Sequence, residues 1–189
     1  MPKALITPPA VQPVTLAEVK AHLRVETADE DEYLNGLAAM AVAHVEQTTG
    51  LALINQVWRV YLDAWPLDGL VELPVAPVRA VVELRVYDAE GTPIALSPGH
   101  FTLDPFSEPA RLLVIATDAP ERALNGIEID VEAGYGESGA DVPDTLRRAI
   151  LVLVAHWHEL RGAADDAVVA ASAPPGFARL LAPFTRPRL

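Results

Sequence analysis

The spacing of apolar side chains changes twice along the chain, from a helical period to a strand period and back. Apolar residues recur at three- and four-residue steps over residues 28–49, which is typical of an amphipathic helix. Within residues 51–134 apolar and polar residues alternate in short runs separated by proline or glycine, which predicts antiparallel strands. The helical period returns over residues 143–161. We therefore predict an α+β fold, a helical bundle with an antiparallel β element between its second and third helices.

Two short motifs predict where the first helices begin. Thr15 and Glu18 have the spacing of a capping box, in which each side chain accepts a backbone N–H of the other residue, and a helix over 15–25 follows. Thr27 and Glu30 repeat this spacing before the second helix, which ends at Gly50. Acidic residues crowd the first turn of that helix, where the helix dipole favours negative charge. We interpret them as capping residues rather than as metal ligands.

The two ends of the chain differ from the middle. Residues 1–14 contain several prolines, so we predict an extended arm without a regular hydrogen-bond ladder. Residues 15–161 form the main domain, and residues 162–189 form a flexible alanine-rich linker followed by a docking arm. This arm is basic and carries apolar anchors, which is typical of a segment that binds a partner. The candidate partner-binding residues are Phe177, Leu180, Leu181, Phe184, Arg186 and Arg188. The alternative is a strap that folds back on its own domain.

The long third helix is apolar on all sides over its central turns. Such a helix buries more than one face. Another subunit or a close internal layer would cover the second face, and the candidate interface residues are Ile150, Val152 and Val154.

Charge and composition narrow the possible functions. The formal net charge of −12 argues against a surface that grips nucleic acid through its phosphates. The absence of cysteine excludes disulfides, thiolate metal sites and cysteine nucleophiles. The longest apolar helical run is much shorter than the roughly 20 residues of a membrane span, and the N-terminus does not resemble a signal peptide, so we expect a cytoplasmic chain with no membrane role.

Patterns that bring catalytic chemistry to mind are all incomplete. His156 and His158 stand two apart on a helix and so point in different directions, which disfavours a shared metal ion. The glycines of residues 134–139 follow a strand but lack the Gly-Lys-Ser/Thr ending of a phosphate loop, and no serine lies in a Gly-x-Ser-x-Gly elbow. We predict no catalytic, cofactor or metal site. A small-molecule-binding or hydrolytic domain is the rival interpretation, and it requires a convergent polar pocket.

The order of several motifs resembles that of the head-tail connector, or adaptor, proteins of tailed bacteriophages and phage-like gene transfer agents. The resemblance covers about residues 14 to 184. The motifs that carry it are Thr15-Leu-Ala-Glu-Val-Lys-Ala-His-Leu-Arg24, Val45-Glu-Gln-Thr-Thr-Gly-Leu-Ala-Leu53, Trp58, Leu73-Pro-Val-Ala-Pro-Val78, Tyr87-Asp88, Ala133-Gly-Tyr-Gly136, Val142-Pro143 and Ala155-His-Trp-His-Glu-Leu-Arg161.

The resemblance implies a structural role with no active site. Such proteins form a ring, usually of twelve subunits, beneath the portal protein, and pass the DNA channel on to the stopper and tail. The implied partners are copies of the chain, the portal protein and a stopper or tail-completion protein, with DNA passing through unbound. The implied location is the neck of a particle assembled in the bacterial cytoplasm. A tail-completion or stopper protein of the same neck is the alternative within this class.

Overall fold

A computed structural model describes residues 1–115, 120–161 and 172–185, and it confirms the α+β prediction. The chain divides into two compact units. Residues 1–10 and 55–135 form a β unit, and residues 11–54 with 136–189 form a helical unit. The main domain predicted over 15–161 thus contributes residues to both units, and the β element forms a unit of its own together with residues 1–10.

The β unit contains two antiparallel sheets. The larger has five strands in the order β1-β2-β8-β4-β5, and the smaller has three in the order β3-β7-β6. The strands are β1 (Lys3–Thr7), β2 (Gln56–Leu62), β3 (Leu70–Glu72), β4 (Val78–Tyr87), β5 (Pro93–Ala95), β6 (Phe101–Asp104), β7 (Arg111–Val114) and β8 (Ile127–Ala133).

Strand β8 lies at the centre of the larger sheet and is buried on both faces for different reasons. Ile127, Ile129 and Val131 are fully buried on the apolar face, since successive side chains of a strand alternate between faces. Glu128 and Asp130 occupy the other face and are also buried. Buried carboxylates need cationic partners, and the neighbouring strands supply them.

Two arginines neutralise this acidic pair. Arg59 on β2 binds Asp130 through two hydrogen bonds, Nε to Oδ1 at 2.7 Å and Nη2 to Oδ2 at 2.8 Å. Arg85 on β4 reaches Glu128 at 3.3 Å and Asp130 at 3.4 Å. The hydrogen bonds that Arg59 donates to the Asp130 carboxylate raise the pKa of Arg59, which keeps the guanidinium charged. The pairs tie β2, β8 and β4 together across the sheet.

The helical unit contains four described helices, α1 (Leu16–Leu23), α2 (Asp31–Thr49), α3 (Asp144–Leu160) and α4 (Phe177–Leu181). Helix α3 contacts each of the other three, and α1 also contacts α2. Leu34, Leu146, Leu153 and Trp157 are among the largest fully buried side chains of this unit.

Of the two capping boxes that the sequence predicts, one is present in the structure and the other is not. The capping box at Thr15 is present: Glu18 Oε2 accepts the Thr15 N–H at 2.7 Å, and Thr15 Oγ1 accepts the Glu18 N–H at 3.2 Å. The box predicted before α2 is wrong, because Glu30 makes no capping bond. Its carboxylate instead binds Arg161 at 2.7 Å and His158 at 3.2 Å near the end of α3, and charge-assisted partners outcompete a backbone donor.

The N-terminus also departs from the prediction. Residues 3–7 form β1 and pair with β2, with Leu5 opposite Trp58, so this part of the chain has a regular ladder after all. Pro2 and Pro8 flank the strand instead of interrupting it. An edge strand needs hydrogen bonds on one side only, which suits a segment with prolines close to its ends.

Candidate assembly surfaces

The described C-terminal segment lies against helix α3 of its own unit. Trp157 Nε1 donates to the Ser172 carbonyl at 3.0 Å, and His156 Nε2 lies 3.0 Å from Ser172 Oγ. Ser172 is thereby held on α3, although the predicted linker up to residue 171 lies outside the described residues. Residues 172–173 belong to the predicted linker, and the first of them is fixed by these bonds.

Two predicted anchors of the docking arm are buried within the chain. Phe177 is 4% exposed and Leu181 is 1% exposed. The ring of His44 lies 5.7 Å from Phe177 and 6.0 Å from Trp157, so an aromatic cluster joins α2, α3 and α4. The burial of Phe177 and Leu181 is what we expect of the alternative interpretation, in which the C-terminal segment folds back on its own domain.

The other predicted arm residues differ from these two. Leu180 and Phe184 are half-buried and keep part of their apolar surface accessible. Arg186 and Arg188 lie outside the described residues. The structure therefore brings the first four arm residues onto one short segment and says nothing of the two arginines.

The predicted interface on α3 is covered mainly by the chain itself. Ile150 and Val154 are completely buried within the chain, which favours the close internal layer over another subunit as the cover of these two side chains. Three helices surround α3, and this explains an apolar sequence on all sides without a second chain. Val152 is half-buried and keeps an accessible surface.

A turn in the β unit exposes an aromatic side chain that sequence reasoning missed. Phe106, between β6 and β7, is 93% exposed. Asp104 holds the turn, because its Oδ1 accepts the N–H groups of Phe106 at 3.1 Å and Ser107 at 3.3 Å. Its Oδ2 binds Arg111 at 2.6 Å and the Ser107 hydroxyl. The detectable signal was an aromatic residue inside an Asp-Pro-Phe-Ser turn between two alternating runs.

Helix α2 exposes an uncharged face. Tyr33 is 36% exposed and Met40 is 47% exposed, and Gly36 lies between them on the same side of the helix. Among the residues that the structure describes, none comes within 4 Å of a Cβ atom built on Gly36. No Asp, Glu, Lys or Arg occurs between Glu32 and Glu46 of this helix, although 21% of the whole chain is charged.

The described residues contain little that resembles a reactive centre. In the described ranges no group of three His, Asp or Glu side chains lies close enough to hold a metal ion. A pocket of about 480 Å³ in the β unit includes Met1, Tyr61 and Asp63 in its lining, but the Asp63 carboxylate already accepts the Asn125 N–H at 2.7 Å. Within the part of the chain that is described, no helix has both the length and the apolar character of a bilayer span.

Comparison with known proteins gives the chain a family. Residues 13–92 match the family described as phage gp6-like head-tail connector proteins. A chain from the virion of a native gene transfer agent particle is 30% identical, with a TM-score of 0.81, and the match covers 100% of this chain and 97% of that one. No protein with a curated description matches the chain.

Two further solved chains come from particle necks. One, from the neck of the empty gene transfer agent particle computed with C6 symmetry, is 31% identical, with a TM-score of 0.80. The other, from the neck of the native particle computed with C12 symmetry, is 29% identical, with a TM-score of 0.81. Each match covers 100% of this chain and 97% of the other.

The family model and the neck structures together define the class of this protein, a structural protein of phage-like particles. The chain belongs to the head-tail connector family of phages and phage-like gene transfer agents. Its place is thus among the structural proteins of the particle neck.

Proposed function

We propose that this chain is the adaptor subunit of a gene transfer agent or phage neck and that twelve copies form a ring beneath the portal protein. The observation that carries the proposal is the full-length likeness to chains from necks computed with C6 and C12 symmetry. The ring joins the DNA-filled head to the stopper or tail-completion protein, and the particle assembles in the bacterial cytoplasm. The chain performs no bond-making chemistry and holds no cofactor.

The charge of the chain supports a channel that DNA crosses without binding. With a formal net charge of −12, the protein repels a polyanion at ranges comparable to the Debye length, so DNA slides past rather than adheres. We expect no DNA retardation by the purified chain even at low salt, where electrostatic binding is strongest.

The C-terminal arm has two parts with different functions. One part attaches the arm to its own helical unit, and the other contacts the portal protein. Phe177 and Leu181 fix the arm on its own helical unit, and their burial supports this division. The accessible parts of Leu180 and Phe184 and the basic side chains of Arg186 and Arg188 then contact the portal protein. A basic, apolar end on an acidic chain has the composition expected for such docking.

The ring is tested by tracing the chain in images of purified necks. Twelve copies directly beneath the portal support the proposal. A position at the tail side of the neck, or a single copy per particle, contradicts the adaptor role and favours the stopper or tail-completion alternative.

Docking by the arm has its own test. Removal of residues 186–189 leaves the buried anchors in place, and we expect folded subunits that no longer join heads to tails. Arg186→Glu with Arg188→Glu should have the same effect, while Arg186→Lys with Arg188→Lys serves as the charge-conserving control. Normal joining by the double glutamate variant contradicts a role for the basic tail.

A further inference from the structure

The Phe106 turn is rigid before any partner binds. Asp104 fixes its first half through the backbone N–H groups of Phe106 and Ser107. Its second half is fixed where the Ala110 carbonyl accepts the Leu73 N–H at 2.8 Å, and Ala110 itself is 2% exposed. An aromatic side chain on such a turn loses little conformational entropy on binding, which is the property of an interface anchor.

The uncharged face of α2 has a gap at Gly36 that suits an aromatic side chain. Glycine in the middle of a helix costs about 0.5–1 kcal/mol relative to alanine. At Gly36 no contact with a described residue accounts for that cost, because a Cβ atom there meets none of their atoms within 4 Å. Tyr33 forms one wall of the gap, with Arg161 stacked on its ring at 5.0 Å. Met40 forms the other wall, and its flexible thioether adapts well to an aromatic ring.

A closed ring needs two different surfaces on every subunit, since each copy contacts the next in a head-to-tail manner. The Phe106 turn and the α2 face are two such surfaces, one on each unit of the same chain. Interface cores are rich in aromatic residues and methionine, which Phe106 supplies on one surface and Tyr33 and Met40 on the other.

We propose that Phe106 of one copy inserts over Gly36, between Tyr33 and Met40, on helix α2 of the next copy in the ring. The proposal rests on the ring put forward above and adds the contact that closes it. The occupant of the α2 face is thus a second copy of this chain, and the symmetry of the related necks supports repeated contacts between copies.

Cross-linking tests the contact directly, because the chain has no native cysteine. Full-length chain with Glu108→Cys and Ala39→Cys is assembled into necks and treated with a short bismaleimide. These two exposed positions lie beside Phe106 and Gly36 in the sequence, so the proposed contact residues stay in place. We expect a ladder of covalent multimers on a denaturing gel, with neither single-cysteine variant producing one. Dimers from the Glu108→Cys variant alone would show that the Phe106 turn meets its own counterpart, which overturns the proposal.

Two substitutions with matched controls test the same contact by assembly. Phe106→Ser should lower incorporation into necks at least about tenfold, as loss of an interface anchor does. Leu67→Ser is the control, because Leu67 is also a fully exposed apolar residue on a turn of the β unit. Gly36→Gln should fill the gap and block assembly while the free chain keeps its fold. Ala17→Gln is its control, because it places the same side chain on the exposed surface of α1 and should leave assembly unchanged.

The outcomes separate this contact from the proposed function. Necks that contain a ring of the Phe106→Ser variant at the wild-type level, with no ladder from the double-cysteine variant, overturn the contact and leave the ring intact. Necks from which the wild-type chain is missing overturn the adaptor role, and the contact with it.

Discussion

The indole N–H of Trp157 donates to the carbonyl of Ser172 at 3.0 Å, and this bond helps to fasten the described C-terminal segment to helix α3. Trp157 is 1% exposed, so the bond lies in an environment with little water to compete for either partner. The segment that follows buries Phe177 and Leu181 against the same unit. A docking arm in this protein therefore begins from a fixed position.

Loss of the Trp157 bond should loosen the C-terminal segment. We expect Trp157→Phe to lower the free energy of unfolding by about 1–2 kcal/mol, since it removes the buried hydrogen bond to the Ser172 carbonyl. Limited proteolysis should also cut within residues 172–185 faster. Trp65→Phe is the matched control, because the buried Trp65 Nε1 has no hydrogen-bond partner among the described residues. Equal losses for both variants would contradict the assignment.

Local signals predicted most of the elements. The alternation over residues 51–134 predicted the strands there, and the capping box at Thr15 placed the start of α1, because both depend on neighbours close in sequence. Strand β1 escaped prediction since its ladder depends on residues such as Trp58, more than fifty positions away. The ion pairs of Glu30 were not predicted for the same reason, since its partners His158 and Arg161 lie at the C-terminal end of α3.

The surfaces were harder to predict than the elements. An apolar helix such as α3 reveals how many faces are buried, but not whether the same chain or another covers them, and for Ile150 and Val154 the same chain does. Phe106 was missed because an apolar residue in a loop is as often buried as exposed. Its exposure depends on how Asp104 shapes the turn, which is a three-dimensional property.

The arginine–carboxylate network should stabilise the larger sheet. Asp130→Ala leaves Arg59 and Arg85 without their shared acceptor in a mostly buried site, and we expect the free energy of unfolding to fall by about 2–4 kcal/mol. Chemical denaturation of the free chain measures this. Glu90→Ala is the control: this residue is exposed on the turn between β4 and β5, so we expect no measurable shift in the denaturation midpoint. Similar midpoint shifts for both variants would count against the network.

The Phe106 turn should respond to acid in a defined range. Hydrogen bonds from Ser107 and Arg111 lower the pKa of Asp104 from 3.8 to about 2. Because the folded-state pKa is depressed, the carboxylate stabilises the fold fully above pH 3.8 and loses this contribution as the pH falls through about 2. An NMR titration of the Asp104 carboxyl carbon measures the midpoint. Ser107→Ala should raise this pKa, whereas Ser97→Ala, the control, should leave it unchanged.

Substitution by alanine should change the stability of the free chain in opposite directions at Gly139 and at Gly36. A Cβ atom on Gly139 would lie 2.4 Å from the Pro13 carbonyl oxygen, and backbone atoms cannot move aside cheaply. We expect Gly139→Ala to destabilise the free chain by about 1–3 kcal/mol. The new Cβ atom of Gly36→Ala lies inside a helix and meets no atom of the described ranges within 4 Å, so this variant should stabilise the free chain by about 0.5–1 kcal/mol. The denaturation midpoints of the two variants measure both effects, and shifts of the same sign would contradict the prediction. The close approach at Gly139 also explains a glycine in the loop after β8 by packing, without a bound phosphate.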